Sequence, residues 1–173
     1  MKNKIVKFIL SPNYYAKYIG VNIGVGCTLN KEISFGSEPY LITIGDKFYC
    51  STGIKFITHD GSVNVLRNLH PELKEVDLIS EVIVGSNVFL GCNVTVLPGT
   101  VIGDNVIVGA CSVIRGKLKS NSVYAGIPAK RLMSVAEYKE KKKNHFVNTK
   151  LMTKKEKRNY LLMKNKIKNQ PEH

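Results

Sequence analysis

A period of six residues runs through the middle of this chain and restricts its fold more than any other feature. Counting in sixes from Leu78 gives Leu78, Val84, Leu90, Val96, Ile102, Val108 and Ile114, all aliphatic. Four residues after each stand Val82, Val88, Val94, Thr100, Val106, Ser112 and Leu118. Glycine directly follows four members of the series, as Gly85, Gly91, Gly103 and Gly109. The same register runs through Ile44-Gly45, Cys50 and Phe56, and more loosely through Ile19-Gly20 and Val25-Gly26, with a break between Asn30 and Tyr40. A helix requires apolar residues at i, i+3, i+4 and i+7, and a long strand requires strict alternation. Six-residue spacing with β-branched residues and glycine predicts short strand, turn, short strand, repeated in stacked coils. Parallel strands about 4.8 Å apart then form the walls, and the aliphatic ladder fills the interior of an all-β solenoid. Glycine is expected to release the turns from the backbone limits that a side chain imposes.

One stretch interrupts the repeat. Residues 61–77 (GSVNVLRNLHPELKEVD) are polar, contain Pro71 and carry no period of six. An inserted loop of this length in a regular solenoid is usually functional or disordered. After Leu132 the composition changes again. Ser134-Val-Ala-Glu137 and Thr153-Lys-Lys-Glu156 each have the Ser/Thr-x-x-Glu spacing of a capping box, which predicts helices over 134–146 and 153–168. Tyr160, Met163 and Ile167 share a face of the second helix, available for packing on the solenoid or on another subunit. The expected division is therefore a solenoid domain, 1–132, with the inserted loop 61–77, and a helical extension, 133–173.

Charge follows the same division. The formal net charge is +13; from Ser134 onward 12 Lys and Arg face 4 Asp and Glu, against 14 and 9 in the remainder. Such an appendage is a solvated face or an attraction to phosphorylated or lipid-linked material. No zinc finger, RNA-binding aromatic signature or clear helix-turn-helix accompanies it, so no nucleic-acid partner is expected. The cysteines Cys27, Cys50, Cys92 and Cys111 form no CxxC pair, which excludes a zinc ribbon and predicts free thiols in a reducing compartment. The Ile5–Leu10 run is broken by Lys7 and lacks a small-residue cleavage site, and no apolar run reaches about 18 residues. A cytoplasmic protein is expected.

The segment VIVGSNVFLGCNVTVLPGTVIGDNVIVGACSVI, followed by AGIPAKR up to Arg131, resembles the closing coils of the hexapeptide-repeat acyltransferases. The resemblance spans about Ile19 to Leu132 and is nearest to the sugar O-acetyltransferase branch, which contains maltose, galactoside and capsular-polysaccharide acetyltransferases. It implies a left-handed parallel β-helix, with the insertion as an active-site loop. It also implies acetyl-CoA as donor, a homotrimer with sites between prisms, and no required metal. Left-handedness comes from the resemblance alone and runs against the usual right-handed crossover.

Acetyl transfer from a thioester to a hydroxyl needs a base, donors for the developing oxyanion and a groove for the donor. Histidine suits the first task, since its charge changes near neutrality. His145 and His173 lie in the basic tail, and His70 precedes Pro71 in the inserted loop. His59 ends the last regular coil before the insertion, in Phe56-Ile-Thr-His-Asp-Gly61, where a rigid edge fixes it and the loop covers it. Sugar O-acetyltransferases carry their catalytic histidine at this junction, so the resemblance casts His59 as general base for direct attack, without an acyl-enzyme. Cys92 and Cys111 have no sequence neighbour that would activate them as nucleophiles. Asp60 is a candidate orienter or acceptor contact, although adjacent residues in a strand point apart. By motif, Cys92 and Ala110 line the pantetheine groove, Arg115-Gly116 follow, and Lys130 and Arg131 meet the CoA phosphates.

The branch resemblance implies a sugar acceptor, such as a surface-polysaccharide precursor, with peripheral contact to a lipid-linked form. The galactoside and maltose enzymes carry an N-terminal helical extension and an asparagine near the active site at an upstream coil. Here the N-terminus is short, and the irregular Asn30–Tyr40 segment gives no secure match for that asparagine. Amino-sugar N-acetylation is a neighbouring alternative and a non-catalytic scaffold another. A zinc hydratase on the same prism needs three converging histidines, and only His59 lies within the repeat.

Overall fold

The computed structural model describes residues 9–168, so most of the Ile5–Leu10 run falls outside the described residues. Helix α1 (Pro12–Tyr18) leads into β1 (Asn22–Ile23). A 3-10 turn at Pro39–Leu41 precedes β2 (Ile42–Ile44), β3 (Tyr49–Cys50) and β4 (Lys55–Phe56). Helix α2 (Val63–Leu69) and a second 3-10 turn, Pro71–Leu73, follow. The chain then returns through β5 (Val82–Val84), β6 (Phe89–Leu90), β7 (Thr95–Val96), β8 (Val101–Ile102), β9 (Ile107–Val108), β10 (Val113–Ile114) and β11 (Lys117–Leu118). A hairpin of β12 (Ser122–Gly126) and β13 (Ala129–Ser134) closes the repeat, and α3 (Val135–Lys142) and α4 (Lys154–Lys168) follow it.

From β2 onward every third strand pairs with its equivalent in the next coil, and β1 pairs with β2, which makes three faces. The first is β1-β2-β5-β8-β11, the second β3-β6-β9-β12 with β13 added, the third β4-β7-β10. All pairings are parallel except β12 with β13. Register is strict, with Ile44 opposite Val84 and Val84 opposite Ile102. Val84, Leu90, Val96, Ile102, Val108 and Ile114 are all buried, as are Val82, Val88, Val94 and Val106. Thr100 and Ser112 occupy the same interior series, and each hydroxyl donates to a turn carbonyl, Leu97 O at 2.6 Å and Gly109 O at 2.8 Å. Each fully buried aliphatic side chain contributes roughly 1.5–3 kcal/mol to this stack.

The ladder departs from the sequence expectation at its beginning. Leu78 is 49% exposed, because Leu78–Ser80 is the returning limb of the insertion and runs antiparallel to Thr58–Asp60. Upstream, the buried series is Ile23, Leu29 and Phe35, whereas Val25 is exposed. The coil also continues through the supposed break, since Thr28 and Ser34 bridge to Tyr49 and Lys55. Only after Phe35 does the chain leave register. The early coils are not purely aliphatic: Phe35 stacks on Phe56 at 5.7 Å, with Phe48 beside it.

The turns bear out the expected role of glycine in part. Three residues after a ladder position, positive φ falls on Gly26, Gly53 and Gly99, on Asn87, Asn93, Asn105 and Asn121, and on Lys47 and Cys111. Glycine and asparagine tolerate this conformation better than most residues. The glycines directly after ladder residues, Gly85, Gly91, Gly103 and Gly109, meet a different need, close approach between coils. A Cβ on Gly91 would lie 2.6 Å from the backbone nitrogen of Ala110.

Among the described residues the chain divides into two compact units between Lys139 and Glu140. Both capping boxes form. The Ser134 amide donates to Glu137 at 2.6 Å and the Glu137 amide to Ser134 Oγ at 3.1 Å, while the Thr153 amide donates to Glu156 at 2.8 Å. The first helix closes as a 3-10 turn at Lys143–His145. Tyr160 and Met163 are exposed, and the side chain of Ile167 lies outside the described residues. No described helix is long and apolar enough to cross a membrane.

Candidate active site

The prism has three edges, and the third, where the chain passes from the third face to the first, carries every interruption. Residues 36–41 and the long insertion both emerge there, and Leu97, Pro98 and Arg115 follow β7 and β10 at the same edge. His59 stands three residues past the ladder residue Phe56, just as Glu38 stands three past Phe35. Consecutive coils therefore bring the two side chains together. His59 Nδ1 lies 3.1 Å from Glu38 Oε2 and 3.1 Å from Ser37 Oγ. Buried Thr58 donates its hydroxyl to the same Glu38 oxygen at 2.6 Å. The Thr58 hydroxyl foremost, and then His59, hold the Glu38 carboxyl below its ordinary value despite the opposing effect of burial. The His59 side chain is about half exposed and that of Glu38 18% exposed, so the carboxylate is screened from solvent while the ring faces outward.

Sequence reasoning passed over Glu38, because the register of Phe35 was not recognised. Asp60 takes a different part. Its Oδ1 accepts the Ser62 amide at 2.9 Å at the entry to α2, a contact that holds its carboxyl below the ordinary value. Arg67 braces the insertion by donating to Val76 O at 2.8 Å and pairing with Asp77. His70 sits 3.4 Å from Glu72 in the inserted loop. Among the described residues no group of three or more His, Cys, Asp and Glu converges as a metal centre.

His59 lines two hollows on this edge. One, of about 580 Å³, is shared with Ile57, Leu78, Leu97, Pro98 and Arg115. The other, of about 220 Å³, is shared with Ser37, Glu38, Arg67 and Ile79. The structure thus brings Arg115 and Asp60 to His59. Cys92 and Ala110 lie elsewhere, at the edge between the second and third faces, both exposed on stacked turns. Gly116 is exposed beside Arg115. Lys130 is exposed on β13, where Arg131 donates to Ser122 Oγ at 3.0 Å. Cys92 does have a spatial partner, Ser51 Oγ at 2.9 Å, and this contact first of all lowers its thiol below the ordinary value.

Comparison with known proteins matches this architecture. The family described as Bacterial transferase hexapeptide (six repeats) matches residues 81–116. Protein CapG of Staphylococcus aureus is 40% identical over 163 residues, covering 93% of this chain and 92% of that protein. The chain belongs to the bacterial hexapeptide transferase family. Its fold is the left-handed parallel β-helix of that family, and it is an acyltransferase. WbbJ of Escherichia coli, named for O-acetyl transfer in lipopolysaccharide biosynthesis, is 52% identical over 63 residues, about a third of either chain. A galactoside acetyltransferase solved in complex with coenzyme A has a TM-score of 0.53 at 18% identity, covering 80% of this chain and 82% of that one. At that identity the likeness speaks for the hexapeptide fold alone.

Proposed function

We propose that this hexapeptide transferase moves the acetyl group of acetyl-CoA to a sugar hydroxyl, with His59 as general base. The observation that carries this proposal is the Glu38–His59 pair at the mouth of the groove that Arg115 shares. An ionised carboxylate on Nδ1 favours the tautomer with its proton there, which leaves Nε2 free to accept one. His59 then takes the acceptor hydroxyl proton as the oxygen bonds to the thioester carbonyl carbon. The C–S bond breaks, and His59 returns the proton to the departing CoA thiolate. Correct positioning of such a base is worth about 10²–10⁴ in rate. The same base and groove serve an amino-sugar nitrogen as acceptor.

The chain's residues fit the donor. Arg115, Lys130 and Arg131 supply cations for CoA phosphates, and the exposed turns at Cys92 and Ala110 offer backbone groups beside a channel for pantetheine. Arg115 and the Cys92–Ala110 turns occupy two edges of one prism, so a homotrimer completes the site by setting the Cys92–Ala110 edge of one copy against the His59 edge of the next. The acceptor is a surface-polysaccharide precursor made in the cytoplasm, and the basic C-terminal segment favours one held at an anionic surface.

Calorimetry with CoA alone tests the donor half. Saturable binding near one CoA per chain, weakened by Arg115→Ala and by Lys130→Ala/Arg131→Ala, is expected. Absence of binding at millimolar CoA overturns the acetyl-CoA assignment.

A further inference from the structure

A third hollow lies on the same edge, on the side of His59 away from Arg115. It measures about 460 Å³ and is lined by Tyr15, Tyr18, Ile19, Gly36, Ser37, Pro39 and Tyr40. Ser37 also lines the small hollow holding Glu38 and His59, and its hydroxyl lies 3.1 Å from the His59 ring. From the N-terminal to the C-terminal end the edge therefore reads as a tyrosine-lined groove, the His59 ring, and the Arg115 groove. From this order we infer that the tyrosine-lined groove is the acceptor subsite, and that it binds an uncharged pyranose ring. The inference rests on the acetyl-transfer function proposed above and adds where the acceptor lies and what class of sugar it is.

The chemistry of the lining selects the ligand. A pyranose presents an apolar face of C–H groups and a rim of hydroxyls. Tyrosine meets both, offering the electron-rich face of its ring and a polar tip. Tyr18 and Tyr40 are 58% and 67% exposed, so both present aromatic surface to a ligand in the groove. Among the described residues, none that lines this groove carries a charge, a lining suited to an uncharged ring rather than to a phosphate or a sugar carboxylate. Phosphate recognition is left to the Arg115 side, and the two halves of the reaction approach His59 from opposite directions.

The groove is also built rather than incidental. Ala16 of α1 is fully buried, and its carbonyl accepts the Val21 amide at 3.0 Å. Asn13 donates to Cys27 O at 2.7 Å, which fixes the helix to the first coil. Gly20, at φ +102°, lets the end of α1 close on the 39–41 corner, since a Cβ there would lie 3.3 Å from Tyr40 Cβ. Tyr18 and Tyr40 are thus held on two elements locked against each other, the preorganisation that a sugar subsite requires.

Methyl glucoside, methyl galactoside and methyl N-acetylglucosaminide serve as probes. Saturation-transfer NMR on the whole protein, followed by acetyl-transfer kinetics, tests the subsite in Tyr18→Ala, Tyr40→Ala and the matching Phe variants. Both tyrosines are exposed, and melting curves confirm folding. The expected result is at least one bound pyranoside whose KM rises about tenfold or more in the Ala variants, with kcat and CoA affinity little changed and Phe retaining most of the binding. Unchanged KM in the Ala variants while His59→Ala abolishes transfer overturns the subsite and leaves the transferase function standing. Loss of CoA affinity in the Ala variants also overturns it, by assigning the groove to the donor. Failure of all three pyranosides to bind overturns the uncharged-pyranose assignment, whatever CoA does. Transfer that persists in His59→Ala overturns the underlying function instead.

Discussion

Two edges of the same prism put one repeat to opposite uses. At the edge between the first and second faces the turns satisfy one another. Asn87 donates to Asn105 and Asn105 to Asn121, at 2.8 and 2.9 Å, while the Ser86 amide donates to Asp104 and the Asp104 amide to Ser120 Oγ. Among the described residues, no such ladder forms at the edge between the third and first faces. There the chain leaves register twice, and His59, Arg115, Leu97 and Pro98 turn toward open grooves. Regular turns use their polar groups to hold coils together. At the irregular edge they line the grooves proposed above for the reaction.

The largest effect is expected where both edges depend on the same spacing. Gly91→Val places side-chain atoms into the backbone of Ala110, from which even a Cβ would be only 2.6 Å away, and the folded yield should collapse. Circular dichroism and gel filtration check this; a normally folded variant would show that the coils can separate at little cost.

Glu38→Gln separates the two edges. It keeps the shape but removes the charge behind His59, and kcat should fall at least about tenfold with KM little changed. The substitution has a second readout. Because the folded-state pKa of Glu38 lies below its ordinary 4.5, its contribution to stability is full above that pH and is lost as pH falls through the lowered value. Acid unfolding of the Gln variant should therefore depend less on pH below about 4.5 than that of the parent. Equal slopes would remove Glu38 from the account.

Asn105→Ala is the converse. It breaks two ladder hydrogen bonds and places alanine at φ 54°, so stability should drop by about 1–2 kcal/mol with kcat unchanged. A loss of activity without loss of stability would erase the distinction between the edges. The smallest effect concerns thiols. Iodoacetamide should modify exposed Cys92 well before buried Cys27 and Cys50, and CoA should slow that reaction several-fold. Mass spectrometry reads both rates, and indifference to CoA would move the donor channel away from Cys92.

The interior ladder was legible in the sequence because it is local. Six-residue spacing survives in a string, and every position from Val82 to Ile114 that it placed inside is buried. The proposed site was legible only in part. His59 stood out by residue type and by its place before the insertion, and Arg115 by motif. Glu38 did not, since it meets His59 only after two coils stack, and the register that brings them together runs through Ile33-Ser34-Phe35, which lacks the aliphatic-glycine pattern of the later coils. Had Phe35 been aligned with Phe56, Glu38 and His59 would have fallen at the same place on successive coils. The Ser51–Cys92 contact, 41 residues apart, was hidden for the same reason. The C-terminal capping boxes, each read across three residues, formed as expected.

The central claim is that His59, positioned by Glu38, performs the proton transfer on this edge. Acetyl-CoA turnover on an accepted pyranoside, compared between the parent and His59→Ala with both saturated in CoA, tests it most directly. A loss of about 10²–10⁴ in kcat with unaltered CoA affinity and unaltered oligomeric state is the result expected. Turnover within a few-fold of the parent would contradict it.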